Sequence, residues 1–184
     1  MGSQLKVVGI CGSIRKESYN KALLRAAAEH LPADVEYIEA DLTLLPFYNQ
    51  DLESTLPQSV TEFAEALRQA DGLIIAAPEY NYSFSGVLKN ALEWVSRPAT
   101  GQPIAGKPVA IVGASAGMFG PARGHMHLRQ VLFACNTNPV NRPEVNVNNA
   151  KSKFNDRGEL TDAAAHDFLD QLIGNLVESM RKQH

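Results

Sequence analysis

Three short segments of this 184-residue chain gather residues able to do chemistry. The first is Gly12-Ser13-Ile14-Arg15-Lys16-Glu17-Ser18-Tyr19-Asn20, set between an apolar run and a helix-forming stretch. Ser13, Ser18 and Asn20 bring hydrogen-bonding side chains to a helix start, and Arg15 brings a planar guanidinium. A helix N-terminus already offers unpaired N–H groups and the positive end of a dipole, so this constellation suits an anion. It lacks the G-x-G-x-x-G that lets a dinucleotide pyrophosphate lie along the backbone, and it lacks the G-x-x-x-x-G-K-[ST] of a P-loop. Converging hydroxyls, amides and a guanidinium suit instead a compact, nearly dianionic terminal monophosphate. The plainer alternative is that Ser18 only caps the helix and Arg15 is a solvated charge.

The second segment is Pro78-Glu79-Tyr80-Asn81-Tyr82-Ser83. Pro78 has no N–H and stops a strand ladder. Two tyrosines beside Asn81 suit the wall and polar edge of a site for a flat heterocycle, whose rim would pair with the free backbone groups of the turn. Alternatively, the tyrosines pack on their own helix. The third segment is Ser115-Ala116-Gly117-Met118-Phe119-Gly120, whose small residues let a ring lie close to backbone. By itself it also reads as a tight strand-to-helix connection.

What positions these segments is an alternation of apolar runs and helical stretches. Leu5–Cys11, Val35–Ala40, Gly72–Ala77 and Pro108–Ala114 read as strands, with a last extended piece between Pro139 and Val147. Helices are predicted over Asn20–Leu31, Ser59–Ala70, Gly86–Val95, Arg123–Ala134 and Thr161–Lys182, the last capped by Thr161. Asp41–Gln58, with Pro46 and Pro57, is the longest irregular stretch before a helix, and Asn146–Lys153 reads as a surface loop. Five strands alternating with five helices predict one doubly wound α/β domain over residues 1–184. In such sheets ligands bind beyond the carboxyl ends of the strands, which is where all three segments lie.

Composition removes several classes. A net charge of -3 with interspersed signs gives no basis for nucleic-acid binding or a polybasic membrane contact. No apolar run approaches the ~20 residues of a membrane-spanning helix. The start, MGSQLKVVGI, lacks a signal peptide's long apolar stretch, and Lys6 stands where a myristoylation signal at Gly2 needs Ser or Thr. Cys11 and Cys135 are far apart and in apolar surroundings, so both are expected to be buried packing residues in a reducing cytoplasm. No Cys/His spacing suggests a metal. His125 and His127 are expected on an exposed helix face, and i, i+2 positions cannot share a metal there.

Together, Gly12-Ser13-x-Arg15-Lys16-x-Ser18-x-Asn20, Pro78-Glu79-Tyr80-Asn81-Tyr82-Ser83 and Leu88-Lys89-Asn90-Ala91 resemble the NAD(P)H-dependent FMN reductases. The branch they are most similar to is the bacterial quinone reductases, also called chromate reductases. The resemblance runs from about Val7 to the final helix, including Phe154-Asn155-x-x-Gly158-x-Leu160. It implies a flavodoxin-like fold, a five-stranded parallel sheet in the order 2-1-3-4-5, with tightly held FMN. Carried over, Ser13, Arg15, Ser18 and Asn20 would hold the phosphate. Pro78, Glu79, Tyr80 and Asn81 would line the isoalloxazine, and Ser115 and Gly117 would flank the same ring.

The resemblance also implies an oxidoreductase taking electrons from NADH or NADPH by a ping-pong mechanism. Quinones would be the acceptors, with flavins, azo compounds and chromate as further ones. No protein side chain is assigned as catalytic, and a homodimer or homotetramer is expected, with Trp94 in its core or interface and Arg123 and Arg129 pairing with Glu144 across subunits. A flavodoxin-type electron carrier is the alternative, but such carriers tend to be more acidic. Two departures from the family stand out. Ser85 replaces a frequent proline, which would soften the turn into the following helix, and Glu17 sits inside the phosphate loop and is expected to point outward.

Overall fold

The computed structural model describes residues 4–183; Gly2 lies outside them. Its elements, in chain order, are β1 (Leu5–Cys11), α1 (Tyr19–Ala28), β2 (Val35–Ala40), α2 (Gln58–Gln69) and β3 (Gly72–Ala76). There follow β4 (Glu79–Tyr80), β5 (Ser83–Phe84), α3 (Gly86–Val95), β6 (Pro108–Ala114), α4 (Ala122–Ala134), β7 (Asn138–Pro139), β8 (Val145–Val147) and α5 (Ala163–Arg181). β2, β1, β3 and β6 pair in parallel in that order, and both β7 and β8 continue the sheet beside β6. With β7 and β8 counted as one interrupted strand, the order is the expected 2-1-3-4-5 of a flavodoxin-like fold.

Burial follows from the parallel pairing, which needs crossover helices on both faces. β3 and β6 are buried along their whole length, whereas the edge strand β2 is buried only at Val35 and is exposed at Ile38 and Glu39. One core layer joins Leu23 and Leu24 of α1 to Leu169, Leu172 and Leu176 of α5 across the sheet. The other joins Val60 and Phe63 of α2, Leu88 and Trp94 of α3, and Leu128 and Leu132 of α4. Trp94 belongs to this core: it is fully buried and donates its indole N–H to the Pro46 carbonyl at 2.9 Å. Asn90, one turn earlier, donates to the same carbonyl and accepts from the Tyr48 N–H. Two side chains of α3 thereby fasten the irregular Asp41–Gln58 segment, which composition alone leaves unanchored.

Several expectations need correction. α1 starts one residue early and stops at Ala28, so Glu29–Leu31 only turn toward Pro32. α5 is capped by Asp162, whose carboxylate accepts from the Ala165 N–H at 2.8 Å. Thr161 instead pairs its N–H with the Lys153 carbonyl. Asn146–Lys153 is not a surface loop throughout, because Val147 lies in β8 and Val147 and Ala150 are buried. Cys135 is half-buried. Ser85 does not loosen the entry to α3: its hydroxyl accepts from the Leu88 N–H at 3.3 Å, an N-cap in the place of the proline.

Candidate functional site

The carboxyl ends of β1, β3 and β6 converge on one cleft. Ser13, Arg15, Ser18, Asn20, Pro78, Glu79, Tyr80 and Ser115 all line it, together with Tyr19, Ala114 and Ala116. Eight of the ten sequence-predicted binding residues are thus brought together. Asn81 and Gly117 are not at its wall: Asn81 is exposed at a turn, and Gly117 donates its N–H to the Ser115 hydroxyl at 3.1 Å.

One end of the cleft is the β1–α1 loop. The backbone N–H groups of Ser13 through Glu17 make no hydrogen bond to any described residue, although Ser13 is only 4% exposed. The Ser13 hydroxyl is likewise unpaired within the described residues. Ser13 is enclosed and Ile14 to Glu17 are exposed, and together they set a row of N–H donors at a helix N-terminus that suits an anion with several acceptor oxygens. Arg15 folds over the loop, donating to the Glu17 carbonyl at 3.0 Å, and the Glu17 side chain is exposed.

Two of the four residues assigned to the phosphate are already committed. The Ser18 hydroxyl accepts from the Asn20 and Lys21 N–H groups as the α1 N-cap. The Asn20 side chain donates to the Ala114 carbonyl and accepts from the Ala114 N–H, both at 2.9 Å. The side chain thus acts as a bracket tying the start of α1 to the end of β6. That bracket has a clear cause: Ala114 is the last residue of β6, and its backbone groups would otherwise be buried and unpaired.

At the other end, β4 and β5 form a two-residue hairpin, Tyr80 opposite Ser83 and Glu79 opposite Phe84. Asn81 and Tyr82 occupy its turn at φ 51° and 66°, as a tight hairpin turn requires. Asn tolerates that conformation; a tyrosine rarely adopts it. The Arg123 guanidinium lies 4.0 Å from the Tyr82 ring centroid and holds it there. Arg123 also grips the Glu79 carboxylate, with Nε at 2.8 Å and Nη2 at 2.7 Å from Oε1. The other carboxylate oxygen accepts from the Gly124 N–H at 2.9 Å. Arg123 is therefore paired within its own chain. Glu79 presents backbone rather than carboxylate to the cleft: opposite Phe84 it occupies a pair that exchanges no ladder bonds, so its N–H and C=O face away from the hairpin.

Beneath the hairpin sits His125, expected on an exposed face but only 5% exposed. Its Nε2–H donates to the Ala77 carbonyl at 3.2 Å, and burial pulls its pKa down to about 4, so it is neutral near pH 7. A Cβ at Gly113 would come within 2.5 Å of both the Ala77 oxygen and His125 Nε2, so only glycine allows α4 and β3 to close on β6 here. His127 points to the rim and contacts the Ser83 hydroxyl at 3.2 Å. Arg123, His125 and Gly113 carry no local sequence signal as site residues, because their partners lie far along the chain. Cys11, next to the cradle, has its thiol pushed up to about 11 by burial and remains protonated. Among the described residues no group of three or more potential ligands is placed to hold a metal.

Comparison with known proteins places this geometry. The family model for NADPH-dependent FMN reductase matches residues 5–152. The NAD(P)H-dependent FMN reductase of Pseudomonas aeruginosa is 46% identical over 183 residues, covering 99% of this chain and 98% of that one. The quinone reductase of Escherichia coli K12 is 40% identical over 181 residues, covering 96% and 94%. Among solved structures, the flavoenzyme NAD(P)H:(acceptor) oxidoreductase FerB from Paracoccus denitrificans superposes with a TM-score of 0.88 at 29% identity, covering 97% of this chain and 98% of that one.

Proposed function

This chain belongs to the NADPH-dependent FMN reductase family, and we propose that it is a two-electron quinone reductase whose β1–α1 loop holds the terminal phosphate of FMN. It is an oxidoreductase with FMN as cofactor and NAD(P)H as electron donor. The observation that supports the phosphate assignment is the row of N–H groups from Ser13 to Glu17, unpaired among the described residues at a helix N-terminus, beside the enclosed Ser13 hydroxyl. Those groups fit a phosphate.

In this reading Ser13 and the loop amides bind the phosphate, and the Arg15 guanidinium closes over it. Ser18 and Asn20 hold the cradle's shape through the helix cap and the Ala114 bracket. Pro78, the outward backbone of Glu79, and Tyr80 line the ring from one side, and Ser115 with its neighbour Gly117 from the other. Glu79 positions its own backbone through Arg123 and Gly124. When bound, FMN would supply two-electron redox chemistry between reduced nicotinamide and the acceptor, and these residues would hold and orient it. The net reaction converts NAD(P)H, a proton and a quinone into NAD(P)⁺ and a hydroquinone. Donor and acceptor occupy the cleft in turn, a ping-pong order, with flavins, azo compounds and chromate as further acceptors.

The two reductase relatives, one named for FMN and one for quinone, support this acceptor class. We also read the chain as one FMN-binding domain working in the cytoplasm, where two free cysteines persist. A homodimer or homotetramer is supported by Met126 and Phe133, 58% and 84% exposed on α4. The test is spectroscopic. The purified protein is expected to be yellow, to release FMN on denaturation, to bleach with NADPH or NADH, and to regain colour with benzoquinone, with parallel initial-rate lines. A colourless protein that takes up no added FMN would overturn the assignment.

A further inference from the structure

Beside the cleft runs a second depression that the flavin site does not account for. It is a groove of about 480 Å³ between α1 and the loop that follows β8. Arg15, Lys16, Lys21, Arg25, Lys151 and Arg157 border it, against two acids, Glu17 and Asp156. The whole chain carries 17 basic and 20 acidic residues, so this concentration of cations sits on an otherwise strongly negative molecule. Lys16, Lys21, Arg25 and Lys151 form no ion pair with any described residue; Arg157 pairs with the exposed Glu159. The cations bordering the groove outnumber its two acids, and an anion there adds the counter-charge they lack.

The groove's position and lining narrow the anion. It shares Arg15, Ser18 and Tyr19 with the cleft, so the two are continuous. From Ser18 to Arg25 it follows α1 for about 10 Å at 1.5 Å per residue, the scale of a nucleotide rather than of a lone ion. Tyr19, partly exposed and packed 5.2 Å between centroids from the buried ring of Phe154, offers an aromatic edge among the cations. A phosphorylated nucleoside has both complements, a dianionic group and a flat base.

We propose that this groove takes the adenosine 2′-phosphate end of NADPH, whose nicotinamide end reaches the cleft, and that Arg25 and Lys151 thereby set a preference for NADPH over NADH. The proposal rests on the nicotinamide donor entering the cleft, as described under the proposed function. NADH presents a neutral ribose hydroxyl where NADPH presents a phosphate, so only NADPH gains from these cations.

The experiment titrates FMN-loaded protein with 2′,5′-ADP and with 5′-AMP at low ionic strength by calorimetry, and measures KM for both donors. Wild-type protein should bind 2′,5′-ADP about tenfold more tightly than 5′-AMP. Arg25→Gln and Lys151→Gln should each weaken 2′,5′-ADP binding and raise the NADPH KM about fivefold, leaving the NADH KM within about twofold and the bound FMN unchanged. Equal affinity for the two nucleotides, or variants that move both donors together, would overturn the assignment. If neither donor bleaches the flavin, the donor reading has failed, while the 2′,5′-ADP titration still decides the groove.

Discussion

The two ends of the cleft are built on opposite plans. At the β1–α1 loop, the N–H groups of Ser13–Glu17 and the Ser13 hydroxyl have no partner among the described residues. At the ring end, the polar side chains are already satisfied: Glu79 by Arg123 and Gly124, Ser115 by Gly117, and Asn20 by Ala114. In the proposed reading a charged ligand group is met by donors left open for it, and a flat ring by backbone and apolar surface. In that reading the Ser13 hydroxyl binds the phosphate, while the Ser18 and Ser115 hydroxyls also accept local backbone N–H groups.

Asn20 joins the two ends, and removing it gives the largest expected effect. Asn20→Ala leaves the Ala114 N–H and C=O buried without partners, a loss of about 4 kcal/mol in stability at 1–3 kcal/mol per group. Both FMN retention and the denaturant midpoint should fall together. A variant of normal stability that merely binds FMN less well would show Asn20 to be a ligand after all, and would break the contrast drawn above.

The ring end also has a pH signature that the phosphate end lacks. His125 is held neutral, with its folded pKa of about 4 below the ordinary 6.5. The unfolded chain takes up a proton at this residue first as pH falls. The associated stability is therefore whole above pH 6.5 and is lost as pH drops toward 4, about 3 kcal/mol in all. His125→Gln should flatten the stability profile over that window relative to wild type, whatever the fixed cost of the substitution. Parallel profiles for the two proteins would remove His125 as the buried neutral group beneath the hairpin.

Arg15 is exposed and makes a single bond to its own loop, so Arg15→Ala should leave stability within about 0.5 kcal/mol of wild type. FMN affinity should fall by about 2 kcal/mol, roughly 30-fold, for a charge-assisted contact. Unchanged FMN retention would take Arg15 out of the cradle.

How much of this was legible in the sequence differs between the two ends. The strands Leu5–Cys11, Val35–Ala40 and Pro108–Ala114 match their apolar runs residue for residue, because a buried parallel strand leaves little choice of composition. The gathering of Ser13, Arg15, Pro78, Tyr80 and Ser115 in one cleft follows once strand order is known, since each stands just past a carboxyl strand end. Division of labour within the cleft was not legible. Ser18 reads equally as ligand or cap, and Asn20's partner is 94 residues away. The Glu79–Arg123 clasp joins positions 44 apart, and His125 is buried only because α4 closes over Gly113. The interruption between β7 and β8 carries no local signal either, since Pro139–Val147 reads as one continuous extended segment.

The central claim is that the cleft is organised around a terminal monophosphate, and ligand choice by the apoprotein tests it most directly. Fluorescence titration with FMN, riboflavin and FAD should show FMN bound at least about 100-fold more tightly than riboflavin, from two or more charge-assisted contacts to the phosphate. FAD, whose flavin phosphate is joined to AMP in a pyrophosphate and is no longer a terminal dianion, should also bind more weakly than FMN. Equal affinity for FMN and riboflavin would contradict the account, because the unpaired amides of Ser13–Glu17 would then have no ligand to explain them.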